Sequence, residues 1–452
     1  MGPDDIDEYA VLDLLDALVR KSLLTADRST GRIRFSMLET IRQFAEEQLA
    51  ASGAATEART AHARYFAGRE ADILALWDSP RQREAYDWFA AELANLRTAF
   101  RWAADQGDLD VAAPIATYAA WLGLMVENFE PVAWAEELIE PARAVDHPRL
   151  AALHAMASMC WMAGRIEAAV RYCEAGLVLL GSGHYEVPPV FEAMLSGVYL
   201  VIGQPERTVE LCRAQLARGP DTHAFTSTGL VIALRMAGSD DEAMAAANSL
   251  IDAAEAIRNP WALSYALFAY GIAFIAADPA RARDALHRGL VIAQDSGNRA
   301  NETHVAALLA RLKAEHGDLL AAFDYVNLAI RNYHDAGDTT TMRVPLAALA
   351  ACLDRLGWYE SAATVAGFAV NPLTAAWAPE ITTAIAHLRE VLGDQAYESL
   401  AHKGETMTTA EMVTYAYGLF NFFRAAGSKS GLRPAGCGCS GIVSGELNAV
   451  GS

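Results

Sequence analysis

Lysine is nearly absent from this sequence. Only four of its 452 residues are Lys, and none of the four follows a Gly. The phosphate-binding loop G-x-x-x-x-G-K-[ST] is therefore missing, together with the Lys that would reach the phosphates of a bound nucleotide. We expect no nucleotide site and no other cofactor in this chain.

Basic residues as a whole are outnumbered. The chain has 36 Lys and Arg against 56 Asp and Glu, a formal net charge of -20. A surface of that sign repels phosphates, so we predict no direct binding of nucleic acid. Hydrophobic residues make up 53% and charged residues 20%, which excludes an intrinsically disordered or collagen-like chain.

Motifs for metal binding and catalysis are also missing. The two closest His residues, His147 and His154, are seven positions apart, which excludes an i,i+4 metal pair. Residues 436–441 formally match G-x-G-x-x-G, but no strand precedes them and no helix follows. We predict no metal ligand, no catalytic residue and no enzymatic activity. A hydrolase site in a concave groove stays open as an alternative, with only the concavity of a solenoid to favour it.

The six Cys stand mostly alone in apolar helical segments, and the amino-terminal residues lack the pattern of a signal peptide. We expect reduced thiols and a cytoplasmic location.

Two long apolar stretches, 111–126 and 261–277, raise the alternative of a membrane segment. The second has 17 uncharged residues, the lower limit of the length that spans a bilayer. Pro260 precedes it, Asp278-Pro279 ends it, and no cluster of basic residues flanks it. We predict that both stretches are buried helices and that the chain does not bind a membrane.

The central region repeats. Turn-forming residues recur at intervals of 39, 35, 40, 39 and 40 positions, and each is followed by a segment with apolar residues at i, i+3, i+4 and i+7. Such helical hairpins cannot bury their apolar faces alone, so they stack. The sequence predicts an all-α fold, a right-handed α-solenoid of tetratricopeptide-like hairpins. The turn residues are Gly164, Gly203, Gly238, Asp278, Gly317 and Gly357.

Residues 6–53 have a different pattern. A helical segment is followed by two short strands around a Ser-Thr-Gly turn and by a second helix that ends at Gly53. This order is the second half of a winged helix. We therefore divide the chain into a partial winged helix (1–53), a helical linker with the first solenoid helices (54–146), a repeat domain (147–426) and a disordered Gly/Ser/Cys tail (427–452).

Several segments resemble a known family. LDLLDALVRKSLLTADRSTGRIRFSMLETIRQFAEEQLAASG near the start and LREVLGDQAYESLAHKGETMTTAEMVTYAYGLF near the end are similar to the region after the nucleotide-binding domain of actinobacterial STAND regulators. These are LuxR-type or adenylate-cyclase-linked proteins with an NB-ARC-type ATPase. The resemblance covers about residues 6–426. It implies a switch in which the ATPase binds nucleotide, the winged helix closes on it, and the repeats sense an inducer or partner.

The family also offers one residue to test. A Met-His-Asp motif opens the last winged-helix helix in many NB-ARC proteins, and Met37-Leu38-Glu39 aligns with it. Leu38 cannot form the side-chain hydrogen bond of the His. Two interpretations of Glu39 stay open: an ordinary first-turn residue stabilised by the helix dipole, or a contact of the nucleotide switch.

Aromatic residues supply the remaining candidates. Trp and Tyr in the solenoid helices either form core or meet in a groove that binds a ligand. We predict a non-catalytic sensor module for a protein partner or small inducer in signal transduction or transcription regulation. In the alternative, it is the sensor arm of an NB-ARC-type ATPase or adenylate cyclase domain located upstream or on another chain. The candidate groove residues are Trp121, Trp161, Tyr199, Trp261 and Tyr265.

Overall fold

The computed structural model describes residues 8–28, 33–185 and 187–429. Apart from one short hairpin, the regular elements in these ranges are helices, which confirms the predicted all-α solenoid class. One compact unit ends at Phe66 and a second begins at Ala67.

The first unit contains the predicted order of helix, hairpin and helix. Its two strands are antiparallel, with Ala26 paired to Phe35 at the centre. Arg59 of the next helix forms an ion pair with Glu46, N to O 2.8 Å, so this unit extends past residue 53. Its elements are α1 (Glu8–Arg20), β1 (Thr25–Asp27), β2 (Arg34–Ser36), α2 (Glu39–Ala51) and most of α3 (Ala55–Gly68).

The second unit is a series of helices, most of which pack on the next helix along the chain. The helix Leu150–Ala157 continues into a 3₁₀ turn, Ser158–Trp161. The helices are α4 (Glu70–Trp77), α5 (Gln82–Asp105), α6 (Leu109–Met125), α7 (Glu130–Ala144), α8 (Leu150–Ala157), α9 (Ile166–Gly181), α10 (Pro189–Met194), α11 (Gly197–Val201), α12 (Pro205–Arg218), α13 (Phe225–Met236), α14 (Asp240–Ile257), α15 (Pro260–Phe274), α16 (Pro279–Ser296), α17 (Arg299–Glu315), α18 (Leu319–Ala336), α19 (Arg343–Arg355), α20 (Tyr359–Ala369), α21 (Pro372–Trp377), α22 (Glu380–Leu392), α23 (Asp394–Glu405) and α24 (Thr409–Lys429).

The predicted turn residues lie between the two helices of successive hairpins. Gly317, between α17 and α18, has φ +81°, a conformation that L side chains rarely adopt. Asp278 acts differently: its carboxylate accepts a hydrogen bond from the Arg281 backbone N–H at 3.1 Å, and Pro279 occupies the first helical position. The turns thus follow from local sequence chemistry.

The two long apolar stretches form α6 and α15. Both helices are buried along most of their length inside the second unit. Among the described residues, no helix has the length and apolar character needed to cross a membrane. The predicted tail 427–452 lies outside the described residues except for 427–429, which continue α24 and so are helical rather than disordered.

The second unit also contains contacts between residues far apart in sequence. The Gln82 side-chain amide donates to Asn259 Oδ1 at 2.9 Å, and Asn259 Nδ2 donates to Asp78 Oδ1 at 3.1 Å. Both amide side chains are at most 1% exposed. These residues are 177 and 181 positions apart, so one turn of the solenoid contacts the next.

Two further contacts also join residues that are far apart in sequence. The Thr340 hydroxyl donates to the Trp161 carbonyl at 2.6 Å, across 179 positions. Arg299 Nε lies 3.1 Å from the carboxylate of Glu127, which is only 5% exposed. We call these three contacts between successive turns the seam: Gln82 with Asn259, Glu127 with Arg299, and Trp161 with Thr340. They hold successive turns together around the interior of the unit.

Candidate ligand-binding cavity

The interior of the second unit holds an apolar cavity. The space free of protein atoms, including its opening to solvent, measures about 1420 Å³. Helices from α6 to α22 contribute to its wall because the seam brings successive turns together. Residues of its lining include Trp161, Gly197, Phe225, Gly229, Trp261, Tyr265, Phe268, His304, Arg311, Tyr333, Thr341, Trp377 and Glu380.

One wall of the cavity is a run of near-parallel aromatic rings. Trp261 and Tyr265 stack with ring centroids 5.6 Å apart, and Tyr265 continues onto Phe268 at 6.0 Å. Trp377 of α21 extends the run, 5.7 Å from Phe268. The planes of neighbouring rings differ by 16–22°. We call these four side chains the aromatic wall. Aromatic molecules pack favourably against the edges and the end faces of such a stack.

Charge inside the cavity is balanced. Arg311 and Glu380 form an ion pair, Nε to Oε2 3.1 Å, and each side chain is 14% exposed. Burial raises the pKa of Glu380, and the neighbouring Arg311 guanidinium opposes that rise. Burial lowers the pKa of His304 to about 4, so this imidazole is neutral at pH 7. The lining therefore offers a ligand no unbalanced charge.

Several polar atoms of the lining have no hydrogen-bond partner among the described residues. They include the indole nitrogens of Trp161 and Trp377 and the hydroxyl of Thr341, all buried. The Tyr265 hydroxyl also forms no hydrogen bond with a described residue, and burial raises its pKa. A buried polar group without a partner costs about 1–3 kcal/mol, and a ligand that supplies the partner recovers part of that energy.

The structure brings three of the five predicted groove residues to the cavity: Trp161, Trp261 and Tyr265. Trp121 does not reach it, because it is fully buried behind Trp261 at a centroid distance of 5.6 Å. Tyr199 is 6% exposed and lies against the thiol of Cys173. Ligand binding by any of the five stays a prediction.

Sequence reasoning missed Phe225, Phe268 and Trp377. Phe268 follows Tyr265 by three positions, so its place on the same face of α15 could have been found from helical periodicity. Phe225 and Trp377 belong to other helices, and no local pattern relates them to Trp261. Only the winding of the solenoid brings them to one wall.

Glu39 lies in the first unit, in the first turn of α2. Its carboxylate is exposed and accepts a hydrogen bond from Arg42 Nη2 at 2.7 Å. Hydrogen bonds from Arg42 and then Gln43 lower the pKa of Glu39 to about 2. The preceding Leu38 supplies no side-chain cap. The first-turn interpretation accounts for these contacts, and a nucleotide contact stays a prediction.

Cysteines and possible metal ligands add no site in the described part of the chain. Cys160, Cys173, Cys212 and Cys352 are buried and unpaired, and burial raises the pKa of the Cys352 thiol to about 12. No group of three or more His, Cys, Asp or Glu in those ranges could hold a metal ion. The G-x-G-x-x-G match at 436–441 lies outside the described residues.

Comparison with known proteins gives a partial similarity. No protein-family model matches the chain. Over 141 residues it is 34% identical to proteins of Mycobacterium bovis and Mycobacterium tuberculosis that are named as HTH-type transcriptional regulators. The match covers 31% of this chain and 16% of the relatives, so the chain spans a small part of their length.

Two solved structures show the extent of likeness in fold. A Rap protein in complex with competence and sporulation factor has a TM-score of 0.44 at 12% identity, over 81% of this chain and all of that one. A circular tandem repeat protein has a TM-score of 0.16 at 15% identity, over 93% of each chain.

Proposed function

We propose that this chain is a non-catalytic sensor module of a transcription-regulation switch. The interior cavity binds a ligand, and the occupied second unit acts differently on a partner protein. The observation that carries the proposal is the apolar cavity with its aromatic wall and its unpaired polar atoms. The similarity to proteins named as transcriptional regulators supports the regulatory output.

Filling the cavity tests this proposal. A Cβ added at Gly229, within α13, meets only Cys212 Sγ at 3.6 Å, which is ordinary contact. Gly229→Leu therefore places a side chain at the cavity without a backbone clash, and Leu favours the helix over Gly. Gly418→Leu is the matched control, because a Cβ at this position in α24 meets nothing within 4 Å and Gly418 does not line the cavity.

The measurement is the transcript profile of cells that carry the wild-type gene, either variant or a deletion. We expect the Gly229→Leu and deletion strains to alter transcripts that the Gly418→Leu strain leaves unchanged. Identical profiles for the wild-type and deletion strains would exclude a role in transcription. If Gly229→Leu matches wild type while the deletion does not, the regulatory role stands without the cavity.

The finer form of the proposal is that the module serves a STAND-type switch, with an NB-ARC-type ATPase or adenylate cyclase domain upstream or on another chain. The helix–hairpin–helix order of residues 8–51 supports it, because it matches the half winged helix that the family resemblance implies. The genomic DNA upstream of Met1 provides the test. We expect a reading frame that encodes a Walker lysine. If neither the upstream DNA nor a neighbouring gene encodes one, the module works with another kind of partner.

A further inference from the structure

The lining of the cavity defines the class of molecule that it binds, and this inference rests on the proposed sensor function. We propose that the ligand is an uncharged, flat and largely apolar small molecule of one or more fused or aromatic rings that carries a hydroxyl or carbonyl group. It lies against the aromatic wall and hydrogen-bonds to the Tyr265 hydroxyl.

The shape and polarity of the wall favour ring systems. Four rings lie within about 6 Å of their neighbours at small interplanar angles, so together they form a continuous aromatic stack along the cavity, which another ring can join. Phe225 adds a ring 5.0 Å from Trp261 at an angle of 50°, which closes one side of this stack. Offset stacking and apolar burial both favour a planar ligand here.

The charge of the lining favours a neutral ligand. The charges of Arg311 and Glu380 compensate each other across 3.1 Å, although Arg311 Nε donates its hydrogen bond to Glu315. His304 is uncharged between Phe268 and Tyr333. A carboxylate or ammonium group on the ligand would lose its hydration without gaining a free counter-charge. A charged effector therefore binds this cavity poorly.

The small number of polar groups argues against a peptide. Each residue of a bound peptide brings a backbone N–H and a C=O that need partners when buried. The polar atoms of the lining without a hydrogen-bond partner among the described residues are few: the Tyr265 and Thr341 hydroxyls, the Trp161 and Trp377 indole nitrogens, His304 Nδ1 and the Glu380 carboxylate oxygens. These groups suffice for a few polar atoms of a small molecule, but not for every N–H and C=O of an extended peptide.

The test uses two dyes with the same ring system. N-Phenyl-1-naphthylamine is neutral, whereas 8-anilinonaphthalene-1-sulfonate adds a sulfonate. We expect the full chain to bind one neutral dye saturably, at least tenfold more tightly than the anionic dye, with quenching of tryptophan emission. Gly229→Leu should weaken binding of the neutral dye at least tenfold, and Gly418→Leu should leave it unchanged.

Gly197→Leu is a second cavity-filling variant, because a Cβ there meets only Trp161 Nε1 at 3.9 Å. It should weaken binding of the neutral dye as Gly229→Leu does.

Displacement of the neutral dye tests the polar contact. We expect 2-naphthol to displace it at a lower concentration than naphthalene does, and Tyr265→Phe to remove that difference. Equal displacement of the dye from the wild-type protein would overturn the role of the Tyr265 hydroxyl.

The outcomes separate this inference from the proposed function. If the anionic dye or a pool of random decapeptides binds as tightly as the neutral dye, and Gly229→Leu blocks it, the ligand class is wrong but ligand sensing stands. If no probe binds in a way that the cavity-filling variants weaken, the inference is wrong. The transcript comparison, which uses no probe, then decides the proposed function by itself.

Discussion

Gly317 reverses the chain between α17 and α18 with φ +81°, and a Cβ built there meets nothing within 4 Å. The cost of a side chain at this position therefore comes from the backbone alone. We expect Gly317→Val to destabilise the second unit by about 1–2 kcal/mol and to lower its Tm. Gly317→Asn should lower the Tm less, because Asn tolerates this conformation. An unchanged Tm for the Val variant would contradict this account of the turn.

Individual side chains also show how far the site could be predicted. Trp261 and Tyr265 were identified from composition and position, because Trp and Tyr are frequent in recognition surfaces. The same reasoning selected Trp121, which packs fully buried between Trp77 and Trp261. The residue type alone does not distinguish an aromatic side chain that lines the cavity from one that is buried behind the lining. That distinction depends on contacts between helices that are distant in sequence.

At the scale of elements, the caps and turns were predictable and the continuity of the helices was not. A single first helix was expected before Gly203, but the structure has two short ones, α10 and α11. Pro188 and Pro189 delay the start of α10, and Ser196 interrupts the helix by donating its hydroxyl to the Ala193 carbonyl at 2.9 Å. The Thr208 hydroxyl donates a hydrogen bond to the Ser196 carbonyl at 3.0 Å, so this carbonyl has a side-chain partner at the break between α10 and α11.

The start of α16 gives a prediction for one element. Asp278 is its N-cap and accepts a hydrogen bond from the Arg281 backbone N–H. We expect Asp278→Ala to cost about 0.5–2 kcal/mol and to lower the Tm measured by circular dichroism. Asp284→Ala in the same helix is the control, because Asp284 is 76% exposed and caps nothing. Equal losses of stability for the two variants would mean that the cap does not stabilise α16.

At the scale of the whole molecule, the seam contains one buried carboxyl group, Glu127, and a second, Asp338, accepts a hydrogen bond from the seam residue Thr340. Burial raises the pKa of Glu127 to about 8, against opposing contributions from Thr303 and Arg299, while Asp338 and Glu302 raise it further. Burial also raises the pKa of Asp338 to about 7, although this carboxylate accepts hydrogen bonds from the backbone N–H groups of Thr340 and Thr341. The folded protein therefore holds protons at these groups that the unfolded chain releases near pH 4.5 for Glu127 and near pH 3.8 for Asp338.

The stability of the folded protein should therefore decrease as the pH rises. The contribution of Glu127 is complete below its unfolded pKa and is lost as the pH rises through about 8. We expect the Tm to fall between pH 6.5 and 8.5, with about 1–2 kcal/mol from Glu127. Glu127→Gln keeps the shape of the side chain and removes its titration, so its Tm should fall less over this range. Parallel curves for the two proteins would contradict the assignment.

The seam itself could not be predicted from the sequence. The hairpins repeat every 35–40 residues and therefore produce a visible pattern. Gln82 and Asn259 are 177 positions apart, and their contact is not part of that repeat. Both look like ordinary polar residues near a helix start. Their burial and mutual hydrogen bond depend on how tightly the solenoid winds, which is the sum of many small rotations between neighbouring helices.

Arrays of helical hairpins commonly change length by recombination, because a repeat that contacts only its neighbours can be gained or lost without disturbing the rest. The seam removes that freedom here. Deleting or duplicating one hairpin between Gln82 and Asn259 would shift every cross-turn partner out of register and remove buried hydrogen bonds from both amides. Homologues that keep these amides should therefore keep the same number of hairpins between them, and vary in length outside that interval.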